Sequence, residues 1–349
     1  MRAPTNQPTT ATAHARVFHF LLLPDFPLYA VVPATEALRI ANQNAGLSLY
    51  DWRFVSAKGG TVRAGNGMSI EATAALSATP SPEAPLPDAL FVCAGNEPTQ
   101  HLDKALLARL RRLSVYGVML GAFDTGVFAL AAAGVIRDRT VTLHWEAIPV
   151  FRDLHPTIAV AEQLFVIDRG LATAAGGNAS LDLMLAFIGR THGQRVAQTV
   201  ADAFIHGQPR KGEAAQRGYS DHGGDEHAVV GRAVRLMNES IEFPLDIGDL
   251  CETLQVSRRR LERTFRSQAG RSPAVAYLEI RLQAAREQLF YSSSSIAHIA
   301  EATGFQSDAH FCRVFRRQFD ASPSSLRRSF RSERRATYYP AGTRLLRMN

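Results

Sequence analysis

The stretch LGAFDTGVFALAAAGVI, residues 120–136, decides how this chain is read. It opens as a continuous apolar run, the pattern of a strand covered on both faces. From Val127 onward it has the small and apolar residues of a buried helix, and Asp124, Thr125 and Gly126 form the tight turn between the two. A strand-to-helix corner of this kind displays one side chain at the edge of a sheet, and in hydrolytic enzymes that side chain is a nucleophilic Ser or Cys. Here it is Asp124, flanked by Phe123 and Thr125. The corner is present and the nucleophile is missing.

On both sides of the corner, strand-like runs alternate with helical patterns. RVFHFLLL (16–23), WRFVSA (52–57), ALFVCAG (89–95) and GVMLGAF (117–123) are strand-like. YAVVPATEALRIANQ (29–43), LDKALLARLRRL (102–113) and TGVFALAAAGV (125–135) carry apolar residues at helical spacing. VTLHW (141–145), QLFVID (163–168), LATAAGG (171–177) and a long helical stretch over 180–205 follow. This alternation predicts an α/β domain over residues 15–206, a flavodoxin-like parallel sheet with helices on both faces. HGQPRKGEAAQRGYSDHGGDE (206–226) has no periodicity, so 207–226 reads as a linker. From 227 the strand signals vanish, predicting an all-α domain over 227–332 and a basic tail over 333–349.

A chain of 349 residues is long enough for two cores, and 46% apolar residues exclude wholesale disorder. No signal-peptide pattern opens the sequence and no stretch reaches the roughly 18–20 apolar residues of a membrane span. The expectation is a soluble, cytoplasmic protein with no membrane partner. Cys93, Cys251 and Cys312 are scattered, suggesting neither a disulfide framework nor a zinc site. Residues 1–225 balance 19 basic against 19 acidic side chains, whereas the rest carries 20 Arg and no Lys against 13 acids. The whole excess of +7 therefore lies in the helical third. Arg without Lys favours phosphate and base-edge contacts, which points to nucleic acid.

Two stretches of that third repeat one scheme. The first has apolar residues at Ile247, Leu250, Leu254, Val256, Leu261 and Phe265, the second at Ile296, Ile299, Phe305, Phe311 and Phe315, with Thr303 in step. The offset is 49 residues before the turn and 50 after it, so the second copy has one extra turn residue, Gln306. This fits two helix-turn-helix units joined by AVAYLEIRLQAAREQLF (274–290); a plain helical bundle is the alternative. The second helix of each unit starts at an N-capping serine, Ser257 or Ser307. Arg259, Glu262, Arg263 and Arg266 then face outward in the first copy, and Asp308, Ala309, His310, Arg313 and Arg317 in the second. That is where a recognition helix meets base edges in the major groove of double-stranded DNA.

IAEATGFQSDAHFCRVFRRQFDASPSSLRR (299–328) resembles the signature of the AraC/XylS family of transcription regulators, and the resemblance extends over residues 229–331. Two departures are mild: Asp320 stands where Gly is commoner, and Asp tolerates the left-handed conformation; Leu326 stands where an aromatic is frequent. The first two hundred residues resemble the PfpI-type, amidotransferase-like domain that precedes the DNA-binding domain in one branch of these regulators. ATEALRIAN (34–42), VRAGNGM (62–68), FVCAGNEP (91–98), DTG (124–126), VTLHWE (141–146) and TAAGGNASLDLML (173–185) carry it.

In enzymes of that superfamily the corner residue is Cys and an acid on the first helix hydrogen-bonds to it. The resemblance implies that Asp124 takes the first position and Glu36 the second. With Thr125 beside it, the corner becomes the mouth of a sensing pocket. His144 reads as a structural residue or a metal ligand, Trp145 as a pocket wall or core, Asn178 as a helix N-cap or a ligand contact, and Cys93 as core. No Gly-rich phosphate loop is present, so no cofactor is indicated. If Glu36 and Asp124 converge, a cation between them relieves their repulsion, and Trp145 adds a cation–π contact. The expectation is a ligand-responsive DNA-binding regulator, an activator of catabolic genes. Its effector would be a small cationic amine: a quaternary ammonium such as glycine betaine or carnitine, or arginine. RNA polymerase and a second copy of the chain are the further partners the resemblance implies. An amidase or glyoxalase-like hydrolase fused to a DNA-binding domain is the alternative, and the absent Cys at 124 argues against it; a constitutive architectural DNA binder has no use for the sensor.

Overall fold

The computed structural model describes residues 14–332 except 78, 80–84, 97, 217–224 and 293, so the expected basic tail lies outside the described residues. The chain divides into two compact units, Met1–Trp145 with His155–Gln216, and Glu146–Leu154 with Arg217–Asn349.

The first unit begins β1 (Arg16–Leu22), α1 (Leu28–Ala45), β2 (Tyr50–Ser56), β3 (Gly60–Arg63), β4 (Ser69–Ala72) and β5 (Ala74–Ala75). It continues β6 (Ala89–Ala94), α2 (Lys104–Val115), β7 (Met119–Asp124) and α3 (Val127–Ala132). After α4 (Ile148–Leu154), which belongs to the second unit, come β8 (Phe165–Asp168), β9 (Leu171–Ala174), α5 (Asn178–His192) and α6 (Gln194–Ala203). Among the described residues seven strands form one sheet in the order β5-β2-β1-β6-β7-β9-β8. Every pairing in it is parallel except β8 with β9. All six residues of β6 are buried, as its unbroken apolar run requires. Phe91 of β6 stacks on Phe123 with ring centroids 5.1 Å apart. Gly121 makes room for that ring, since a Cβ there would lie 2.4 Å from it. This packing fixes the end of β7, and with it the corner.

Four features depart from the alternation read in the sequence. VRAGNGM closes an antiparallel β3–β4 hairpin outside the main sheet. VTLHW makes a single bridge, Val141 with Val160, rather than a strand. The long helical stretch breaks at Gly193, whose φ of 94° no helix accommodates, giving α5 and α6. The linker's first half packs on the α/β unit: Asp182, fully buried, accepts from Arg210 N, Nε and Nη2 at 2.7–2.9 Å. Gln216 Nε2 lies 2.9–3.0 Å from Thr142 Oγ1, Leu143 O and Gln163 O. These side chains satisfy buried polar groups of α5 and of the segments before β8, which no periodicity announces.

The second unit continues with α7 (Asp225–Glu239), α8 (Ile247–Leu254), α9 (Arg258–Ala269), α10 (Pro273–Tyr291), α11 (Ile296–Ala302), α12 (Asp308–Phe319) and α13 (Pro323–Ser332). Its apolar residues form two clusters that share α10. Ala276, Tyr277 and Ile280 join Leu261 and Phe265 of α9; Leu282, Ala285 and Leu289 join Phe311, Val314 and Phe315 of α12. One long helix thus packs against both helix-turn-helix units. The extra turn residue sits between the left-handed position, Gln255 or Gly304, and the capping serine, Ser257 or Ser307. Asp320 is left-handed, with φ 54°. No helix among the described residues is long and apolar enough to cross a membrane.

Candidate ligand corner and nucleic-acid interface

Asp124 ends β7 with φ 59°, a conformation costly for a residue with a side chain, and its carboxylate is turned inward with 2% of the residue exposed. Three neighbours hold the corner. A Cβ on Gly126 would fall 2.2 Å from Val92 O, so only glycine allows the chain to turn this close to β6. Thr125 is fully buried and its hydroxyl donates to Gly95 O, which makes it a tie between the ends of β6 and β7. Gly176, at φ 96°, lies against the carboxylate: its Cβ would meet Asp124 Oδ2 at 2.8 Å.

Gly177 caps α5 and Asn178 is its first residue, so Asn178 is not the N-cap. Its Oδ1 accepts from the Tyr29 hydroxyl at 2.7 Å, and the Tyr29 ring lies 3.9 Å from where a Gly177 Cβ would be. The starts of α1 and α5 therefore meet beside the corner through two glycines. Tyr29, Gly176 and Gly177, which stand around the corner, are not among the candidates the sequence singles out. An aromatic at the head of the first helix, and the paired glycines of LATAAGG, were the available signals.

Glu36 requires a correction. Its carboxylate takes Arg39 Nε at 2.8 Å, with the Glu36 side chain 40% exposed, and does not enter a buried site shared with Asp124. Seven residues past Tyr29, it lies two turns, about 10 Å, farther along α1. An arginine one turn on, at the water-facing surface, holds it there.

His144 is half-buried, and burial pushes its imidazole down to about 4, so the ring is neutral near pH 7. It packs on Trp145 with centroids 5.7 Å apart. No cluster of three metal-ligating side chains stands among the described residues. Cys93 is core: it is fully buried, and burial pushes its thiol well above the ordinary value, so it is no substitute nucleophile.

In the helical unit, Ser257 Oγ accepts from Arg260 N and Ser307 Oγ from His310 N, so both serines cap their helices. Arg259, Glu262, Arg263 and Arg266 on α9 are exposed, as are Asp308, Ala309, His310, Arg313 and Arg317 on α12. Two ties organise these faces. Arg258 Nε pairs with Glu262 Oε1 at 3.1 Å, and Arg313 Nη2 lies 3.1 Å from His310 Nδ1. Behind α12, Arg281 of α10 donates to Thr303 O and Gly304 O while its guanidinium covers Phe305 at 4.3 Å, bracing the second turn.

Comparison with known proteins agrees with both halves. A helix-turn-helix domain model matches residues 250–329, and the DJ-1/PfpI family model matches residues 19–190. The HTH-type transcriptional regulator CdhR of Pseudomonas aeruginosa is 41% identical over 311 residues, 88% of this chain and 90% of that protein. The chain belongs to the AraC family of HTH-type transcriptional regulators, with a DJ-1/PfpI-type domain ahead of its DNA-binding domain. The HTH-type transcriptional regulator GlxA of Rhizobium meliloti is 40% identical over 88% of this AraC-family chain and 94% of its own length. A solved AraC family transcriptional regulator from Pseudomonas putida matches 54% of the chain at 27% identity, with a TM-score of 0.49. As a member of this family the protein is a DNA-binding regulator and not an enzyme.

Proposed function

We propose that this regulator senses a small cationic amine at the Asp124 corner and reads DNA through α9 and α12. The observation that carries the reading is Asp124 itself: a carboxylate held in left-handed backbone at an enzyme-type corner, withdrawn from water and laid against the backbone of Gly176. Backbone strain of this kind persists where it positions a functional group. Charge–charge attraction is stronger away from bulk water, so a carboxylate there favours a cation over a neutral or anionic ligand. With Glu36 half-exposed and paired with Arg39, the buried Asp124 carboxylate supplies that attraction. Quaternary ammonium compounds such as glycine betaine, carnitine or choline, and arginine, fit this chemistry. Activation of catabolic genes, contact with RNA polymerase and a homodimer through the α/β unit are the corollaries of the family resemblance.

A thermal-shift series on the full chain tests the reading, with choline, glycine betaine, carnitine and arginine set against acetate and glucose. A ligand at about 100 times its dissociation constant stabilises the unit that binds it by about 2.7 kcal/mol. One of the cations should give such a shift, and Asp124→Asn should remove most of it while leaving the fold intact. A shift with acetate or glucose alone, or an unchanged shift in the Asn variant, refutes the reading. The hydrolase alternative predicts turnover of amide, ester or α-oxoaldehyde substrates that Asp124→Ala abolishes; because a carboxylate is a poor attacking group for amides, the sensor reading predicts none above buffer.

A further inference from the structure

We propose that Tyr29 is the aromatic wall of the effector site, and that an alkylated ammonium group lies against the half-buried Gly177 backbone, between the Tyr29 ring and the corner that Asp124 ends. This rests on the reading of Asp124 as a cation sensor and deepens it by naming a second recognition group and the kind of ammonium it selects.

The two glycines separate the groups. Residues 176 and 177 have φ of 96° and 53°, in the region that side chains disfavour. A Cβ on the first would run into the Asp124 carboxylate, and a Cβ on the second would face the Tyr29 ring at 3.9 Å. No side chain stands on the 176–177 backbone between carboxylate and ring; Gly176 is buried and Gly177 is half-buried. Tyr29 is fixed in this position: its backbone is in the first turn of α1, and its hydroxyl is bonded to Asn178 Oδ1 on the other side. Yet 63% of Tyr29 is exposed. A ring anchored through its hydroxyl and still open to water presents apolar surface whose π face attracts cations lying within about 6 Å of its centroid.

Carboxylate and ring together select a type of cation. A primary ammonium is compact and strongly hydrated, and loses that hydration against a ring. A methylated ammonium carries its charge on an apolar surface that suits both a ring and a carboxylate, the pairing that quaternary ammonium sites use. Tyr29 is an aromatic ring that the structure places against the Gly177 backbone.

The test is calorimetric titration of the full chain with choline and with 3,3-dimethylbutan-1-ol, its uncharged carbon isostere, on the wild type, Tyr29→Leu and Tyr29→Phe. Circular dichroism confirms that the variants fold; Tyr29 is largely exposed and no core packing is lost. The wild type should prefer choline to the isostere by about tenfold or more. Tyr29→Leu should weaken choline binding by about 2- to 30-fold, the span of a cation–π contact, and leave the isostere unchanged, whereas Tyr29→Phe keeps most of the affinity. If Tyr29→Leu binds choline as tightly as the wild type, the Tyr29 inference is overturned while the cation preference stands. If the wild type binds the isostere as well as choline, or binds neither, the cation reading of Asp124 fails and takes this inference with it.

Discussion

Replacing Gly304 with Ala puts a methyl group where the turn of the second helix-turn-helix unit meets the first. Gly304 has φ 75°, and a Cβ there would lie 2.5 Å from Pro244 Cγ, 2.8 Å from Pro244 Cδ and 2.7 Å from Ile241 O. The left-handed backbone alone costs an alanine about 1–2 kcal/mol. A proline ring and a carbonyl cannot rotate out of the way, so overpacking adds about 1–3 kcal/mol. Gly270 is the internal control: its φ is also positive, at 64°, and nothing lies within 4 Å of its Cβ. Gly304→Ala should therefore cost about 2–5 kcal/mol and Gly270→Ala only the conformational part, about 1–2 kcal/mol. Urea unfolding of the full chain, followed by far-ultraviolet circular dichroism through the transition of the helical unit, measures both. Equal destabilisation by the two variants would show that the second turn does not rest on the 241–244 segment.

Three further outcomes follow from side-chain geometry. His310→Ala removes the acceptor that orients Arg313; fluorescence anisotropy should show specific binding weakened several-fold with random-sequence binding unchanged, and His310→Asn, which retains an acceptor, should restore most of the loss. Arg328→Ala, on α13 and off the recognition helices, should weaken binding to all duplexes alike if that side chain contacts phosphate; a change in base preference would contradict this. His19 and His144 are both held down to about 4, chiefly by burial. Below about pH 6.5 the unfolded chain takes up protons that the folded one refuses, so stability present at pH 7 is lost as pH falls toward 4, by at most about 1.4 kcal/mol per pH unit for each group. Melts between pH 7 and 5 should slope accordingly and His144→Gln should reduce the slope; a flat profile in the wild type would refute it.

Much of this protein was legible in its sequence because its signals are local. Unbroken apolar runs such as ALFVCAG give parallel strands, and the 49- and 50-residue offsets place both left-handed turn residues and both capping serines. The exposed faces of α9 and α12 follow from helical spacing alone. What was not legible depends on distance through space. Glu36 fits a motif by sequence order, yet Arg39 one turn on is its nearest partner, and order along a helix does not say which turn meets a sheet edge. Tyr29 reaches the site only because α5 starts beside it, 149 residues away. Arg210 and Gln216 sit in a stretch of linker composition and become structural because buried Asp182 and the Gln163 carbonyl need donors.

Reading of DNA by one chain with two recognition helices is tested most directly by selecting binding sites for the full protein from a randomised duplex pool. Selection should recover two conserved blocks about one helical turn apart. Arg259→Ala should relax preference within one block and Arg313→Ala within the other, each costing about 1–3 kcal/mol on the selected site. A single block, no enrichment, or equal loss on selected and random duplexes for both variants would contradict that reading.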